Sequence, residues 1–106
     1  MNACIIILKQ NQIETVMWKD NQGEKRLQNS IHENLEQTFA SVSRFVESAQ
    51  EMIVVGESSI SHDYRLWLLR NNRSLANKLI AVIQADYFAQ DKLEAYKKKY
   101  FSPSSK

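Results

Sequence analysis

A single cysteine, Cys4, occurs in the 106 residues, so no intrachain disulfide can form. The two histidines, His32 and His62, are far apart, which leaves a four-ligand Cys/His zinc site without its donors. Neither a structural metal nor another cofactor is expected. Cys4 sits in the apolar run ACIIIL and reads as a small core residue. Only two glycines and one proline, Pro103, are present, which argues against long irregular loops. No apolar stretch is long enough to span a membrane. The first one is too short for a secretory signal, and no basic segment precedes it. The expected setting is reduced and cytoplasmic, although export without a cleavable signal is compatible with the same residues.

A strong charge of one sign is also missing. The net charge is +2, too small to name a polyanionic partner by itself. Its distribution is uneven: residues 1–53 hold five Lys/Arg and seven Asp/Glu, whereas residues 54–106 hold nine and five. A basic C-terminal half is compatible with nucleic-acid contact, and equally with solvated helix faces. At 25% charged and 43% apolar residues, the composition is that of a globular protein, and the length suits one domain. We expect that domain over residues 1–101, with a disordered tail over 102–106.

What is present is a clear periodicity. ACIIILKQ is rich in β-branched residues and reads as a buried strand. After a turn at NQ, Ile13, Thr15 and Met17 alternate with Glu14, Val16 and Trp18, which predicts a second strand with one wetter face. DNQG is a turn cluster, and EKRLQN a short polar third strand. Ser30 and Glu33 have capping-box spacing and predict a helix start. Ile31, Leu35, Phe39, Val42 and Val46 then form one apolar stripe, widened by Phe45 and Ala49, to a helix end near Gln50. MIVVG predicts a strand covered on both faces. A second helix starts among Ser58, Ser59 and Ser61, with Ile60, Tyr64, Trp67 and Leu68 inward, and stops at Asn71 and Asn72. SLANK adds a helical turn, LIAVIQA a buried strand, and AQDKLEAYKKKYF a last helix with Ala89, Leu93, Tyr96 and Tyr100 in register. The order β-β-β-α-β-α-β-α predicts an α/β mixed sheet of ribonuclease H-like architecture, first strand central, helices on both faces.

Several chemistries are excluded by the residues. The junction VVGESSIS has one glycine and no following lysine, so it is not a P-loop. A nucleophile elbow needs small residues on both sides of its serine, and Gly56 has no second glycine to match it. Gly56, Ser58, Ser61 and His62 therefore read as a capped scaffold junction. The helix amides there could hold an anion, but Glu57 opposes one. Two-metal nuclease chemistry requires a carboxylate on the first strand, and Asn2–Leu8 has none. His32 and His62 sit near helix starts beside acids and read as surface residues. Asp86 ends a strand, where α/β sheets place functional groups, and would equally serve as a helix cap. In KLEAYKKKYF, Tyr96, Tyr100 and Phe101 alternate with Lys97, Lys98 and Lys99. That mixture suits single-stranded nucleic acid, and also a core face with lysines at a helix C-terminus.

RFVESAQEMIVVGESS, LIAVIQADY and KLEAYKKKYF together form a family pattern. Through Val54, Val55, Gly56, Asp86, Leu93, Ala95, Tyr96, Tyr100 and Phe101, the stretch 44–101 resembles short bacterial translational-machinery or release-factor-like proteins. These are similar to the ribonuclease H-like middle domain of archaeal/eukaryotic-type class 1 release factors and Pelota. There are departures. Glu57 and Ser61 stand where the family has a proline and a lysine, and DNQGEKRLQN replaces a histidine-rich stretch. No Gly-Gly-Gln loop is present, so peptide release is not implied. The resemblance implies the fold and an association with ribosomes or RNA.

The leading expectation is a non-catalytic module that binds a ribosome or RNA through Arg65, Arg70, Arg73 and Lys97–Lys99. One alternative is a protein-interaction module, a homodimer joined at a free sheet edge or anchored by Trp18 or Trp67. The other is an enzyme using Asp86, His62 and Ser61.

Overall fold

In the computed structural model, which describes residues 2–9, 12–19, 23–30, 35–56, 59–84 and 92–101, every side chain of β1 (Ala3–Leu8) is buried. The unbroken apolar run has its cause in that position. β1 is the central strand of the order β3-β2-β1-β4-β5, so neither of its faces meets water. It pairs antiparallel with β2 (Gln12–Lys19), Ile6 opposite Thr15. On its other side it runs parallel to β4 (Glu51–Gly56), Ile6 beside Val54. β3 (Gly23–Ser30) extends the meander antiparallel to β2, and β5 (Leu79–Gln84) runs parallel to β4 as the opposite edge. α1 (Leu35–Phe45) leads from β3 to β4. α2 (Ile60–Asn71) and α3 (Arg73–Ala76) lead from β4 to β5, and α4 (Lys92–Tyr100) follows. This is the expected mixed α/β sheet with its first strand central.

Strand alternation divides the core in two. Cys4, Ile6 and Leu8 of β1 face the same way as Ile13, Met17, Met52 and Val54, and α1, α2 and α3 cover them with Phe39, Val42, Tyr64, Leu68 and Leu75. Ile5 and Ile7 face the other way with Val16, Ile53 and Val55, under Phe101, Tyr96 and Tyr100. Each buried aliphatic side chain is worth about 1.5–3 kcal/mol. An exposed ion pair gives at most about 1 kcal/mol, so the five buried apolar residues of β1 from Cys4 to Leu8 outweigh any surface pairing. Cys4 is inert in this setting, because burial pushes its thiol pKa up and keeps the proton on.

α1 and α2 are locked together by aromatics and one buried hydrogen bond. The Phe39 and Tyr64 ring centroids are 4.9 Å apart, and Trp67 stacks on Tyr64 at 6.3 Å. The Tyr64 and Ser43 hydroxyls lie 2.8 Å apart, with either able to donate. Burial raises the Tyr64 pKa, the bond to Ser43 acts the other way, and the phenol stays protonated at neutral pH. Tyr64→Phe is expected to cost about 1–2 kcal/mol, because the Ser43 hydroxyl is then buried without a partner. Adding Ser43→Ala should recover part of that loss. Urea unfolding that shows the two changes to be strictly additive would refute this pairing.

Four expectations need correction. Ser30, expected to open the first helix, pairs with Gln12 as the last residue of β3, and α1 begins at Leu35 among the described residues. The eight-residue ladder to β2 claims Ser30, and the other half of the capping box, Glu33, lies outside the described residues. α1 ends at Phe45, while Val46 and Ala49 reach the core from the following turn. The Glu14 side of β2 is buried rather than wet. β5 is only half-buried, because as an edge strand it has no neighbour on one flank among the described residues. The 102–106 tail and Ala89 lie outside the described residues.

Candidate functional site

The exposed basic residues of the second half are positioned by a corner built on Asn72. Its backbone N–H donates to the Leu68 carbonyl and closes α2. Its Oδ1 accepts from the Leu75 N–H at 3.1 Å and opens α3. Arg70 and Arg73 therefore flank one tight bend, both exposed. Arg70 borders a groove of about 530 Å³ between α1 and α2, which Phe39, Leu66, Trp67, Glu36 and Asp63 also line. Arg65 leaves α2 on the other side. With His62 it lines a hollow of about 330 Å³ beside Leu79–Val82 of β5. No ion pair holds Arg65, Arg70 or Arg73 among the described residues.

The lysines are elsewhere. α4 packs on the opposite face of the sheet, so Lys97, Lys98 and Lys99 do not join the arginines in one patch. Lys97 Nζ lies 4.9 Å from the Trp18 ring centroid and Lys99 Nζ lies 5.4 Å from that of Tyr100. Such cation–π contacts hold these two ammonium groups against the protein. Tyr96, Tyr100 and Phe101 pack into the second core, Phe101 edge-on to Trp18 at 6.3 Å. They act as core residues, and Trp18 and Trp67 likewise serve packing within the chain.

At the β4–α2 junction, Ser59 precedes α2 without a side-chain capping bond. Ser61 is fully buried, and its hydroxyl has no hydrogen-bond partner among the described residues. His62, the next residue, is exposed toward β5. Gly56 is buried, and a Cβ built on it would lie 2.7 Å from Ser61 Cβ. Close strand–helix packing explains this glycine. Ser58, Asp86 and His32 lie outside the described residues.

One group escaped sequence reasoning. Glu14 is 5% exposed, and its carboxylate lies 3.6 Å from both Lys9 Nζ and Arg26 Nη1. Arg26 also pairs with Glu24 at 2.6 Å, and the Trp18 indole N–H donates to Glu24 at 3.2 Å. The result is an alternating chain of charges from Lys9, just past β1, across β2 and β3. Two cations neutralise the buried carboxylate, an arrangement that fits a structural role. Strand register sets Glu14 between Ile7 and Gln28 and so near Lys9 and Arg26, and side-chain alternation alone carries no signal of that register. No group of three His, Cys, Asp or Glu side chains able to hold a metal occurs among the described residues.

No family model matches the sequence, and no curated protein matches it. Solved structures do. Archaeoglobus fulgidus Pelota, whose crystal structure reveals inter-domain structural plasticity, superposes with a TM-score of 0.72 at 14% identity, over 92% of this chain and 31% of Pelota. The Aquifex aeolicus PPX-GPPA enzyme superposes with a TM-score of 0.50 at 13% identity, over 79% of this chain and 36% of the enzyme. The chain thus spans about a third of either protein. Identities this low carry the fold and nothing more: the chain has a Pelota-like mixed α/β fold, compatible with the ribonuclease H-like strand order.

Proposed function

We propose that this chain is a non-catalytic binding module related to translation factors, and that it docks on ribosomal or other structured RNA through the α2–α3 layer. The observation that carries the reading is the likeness to Pelota over nearly the whole chain. The family resemblance of residues 44–101 points the same way. Arg65, Arg70 and Arg73, exposed and free of ion pairs among the described residues, supply the cationic contacts. The lysines of α4 are secondary, since two of them lie on aromatic rings. Catalysis has little support, with Ser61 sealed in the core.

The test is retention of the tagged chain on purified ribosomes and on total RNA. Three phosphate contacts predict an affinity loss of roughly twenty- to fortyfold for a fourfold rise in salt, the upper end for duplex RNA. Replacing Arg65, Arg70 and Arg73 together by Glu should abolish retention, and replacing Lys97–Lys99 by Ala should weaken it far less. Failure of the unaltered chain to be retained at low salt removes the reading.

A further inference from the structure

The two edges of the sheet differ in a way that bears on protein partners. β3 exposes Glu24, Lys25 and Arg26, and charges on an edge discourage another strand from pairing there. β5, Leu-Ile-Ala-Val-Ile-Gln, carries no charge at all. Its register to β4 slips at Met52/Ile53, which leaves Ile80 as the extra residue, 46% exposed. From Ala81 to Gln84 the pairing to β4 is regular again, and no strand among the described residues pairs with the other side of β5, which leaves a row of main-chain donors and acceptors along an apolar edge.

The hollow next to this edge fixes the chemistry of what fits. A strand added outside β5 sends alternate side chains to the α2 side of the sheet. There the hollow of about 330 Å³, bounded by His62, Arg65 and Leu79–Val82, has room for such a side chain. Arg65 makes no ion pair among the described residues, so a carboxylate arriving from the new strand is its natural complement. A second copy of this chain fits worse. A two-fold axis normal to the sheet keeps both α2 helices on the same side, so His62 and Arg65 of each copy would face those of the other.

We propose that the outer edge of β5 receives an extended peptide segment of a partner protein as a sixth strand, with an acidic side chain of that segment on Arg65. Main-chain hydrogen bonds supply affinity, and the Arg65 contact selects the sequence. The surface shares Arg65 with the RNA reading, but peptide binding is measured without ribosomes or RNA, so either reading can fail while the other stands.

The experiment is an amide NMR titration of the full chain with two capped octapeptides, one alternating valine with glutamate and the other valine with lysine. The glutamate peptide is expected to shift the Ala81–Gln84 amides, and the lysine peptide to leave them in place. Arg65→Glu should invert that preference by roughly tenfold. Ile80→Glu, at an exposed position that leaves the core intact, should weaken binding of the glutamate peptide in the otherwise unaltered chain. Four outcomes overturn the proposal: no shift with either peptide, equal shifts with both, displacement of the same amides by an RNA oligonucleotide alone, or self-association in sedimentation that Ile80→Glu abolishes.

Discussion

Phe39→Ala should cost about 3–5 kcal/mol of stability, a large part of the ~5–15 kcal/mol that holds a domain of this size together. Phe39 is only 3% exposed. Its ring sits 4.9 Å from Tyr64 and 6.0 Å from Trp67, between α1 and α2 over the first core. Truncation removes the buried ring surface and two aromatic contacts worth about 0.5–1.5 kcal/mol each, and leaves a cavity whose walls belong to three elements. Urea unfolding should show a lower midpoint with an unchanged slope. Glu36→Ala, on the exposed side of the same helix, is the control and should stay within about 0.5 kcal/mol. A Phe39→Ala loss below about 1 kcal/mol would mean that α1 is not fastened through this ring. The prediction also bears on function: Phe39 and Arg70 line the same groove, so loosening α1 disturbs the bed on which α2 presents its arginines.

What could be read in the chain beforehand was whatever depends on local periodicity. β1 was legible because a strand buried on both faces has an unbroken apolar run, and α1 because Leu35, Phe39 and Val42 repeat at helical spacing. Asn72 was legible as a stop, since asparagine both leaves helical geometry readily and caps the next helix. What could not be read depends on which elements lie side by side. Glu14 looks solvent-facing by alternation, and only strand register together with the cover on that face turns it into a buried carboxylate between Lys9 and Arg26. The same limit applies to the candidate site. Arg65, Arg70, Arg73 and Lys97–Lys99 are all basic and all on helices, but whether two helices share a face of the sheet is a matter of topology. The structure puts α2 on one face and α4 on the other. β5 misled for a related reason, as its apolar composition is equally that of an interior strand and of an edge that awaits a partner.

Gly56→Ala should destabilise the chain by about 1–3 kcal/mol, and Gly56→Val by more. Gly56 ends β4, between Leu8 of β1 and Gln84 of β5, and the first turn of α2 comes down directly on it. An added Cβ would meet Ser61 Cβ at 2.7 Å and the Ser61 backbone nitrogen at 3.3 Å. Neither atom can swing aside by changing rotamer, so the helix start itself has to lift from the sheet. Ser61→Ala tests this contact. It removes the Oγ that would lie 3.3 Å from the added Cβ but keeps the Cβ at 2.7 Å, so it gives little relief to Gly56→Ala; it also removes a buried hydroxyl without a partner among the described residues, and alone it should be neutral or slightly stabilising. Ser61→Gly, which removes the Cβ, should recover part of the Gly56→Ala loss, less the ~1 kcal/mol that glycine costs inside a helix. The same series separates two meanings of a glycine between strand and helix. If Gly56 served to let a ligand approach the backbone, Gly56→Ala would impair binding at unchanged stability, and Ser61→Gly would rescue nothing. Packing against Ser61 predicts the reverse: stability falls first, RNA retention follows only as far as Arg65 and Arg70 move with α2, and Ser61→Gly restores both together.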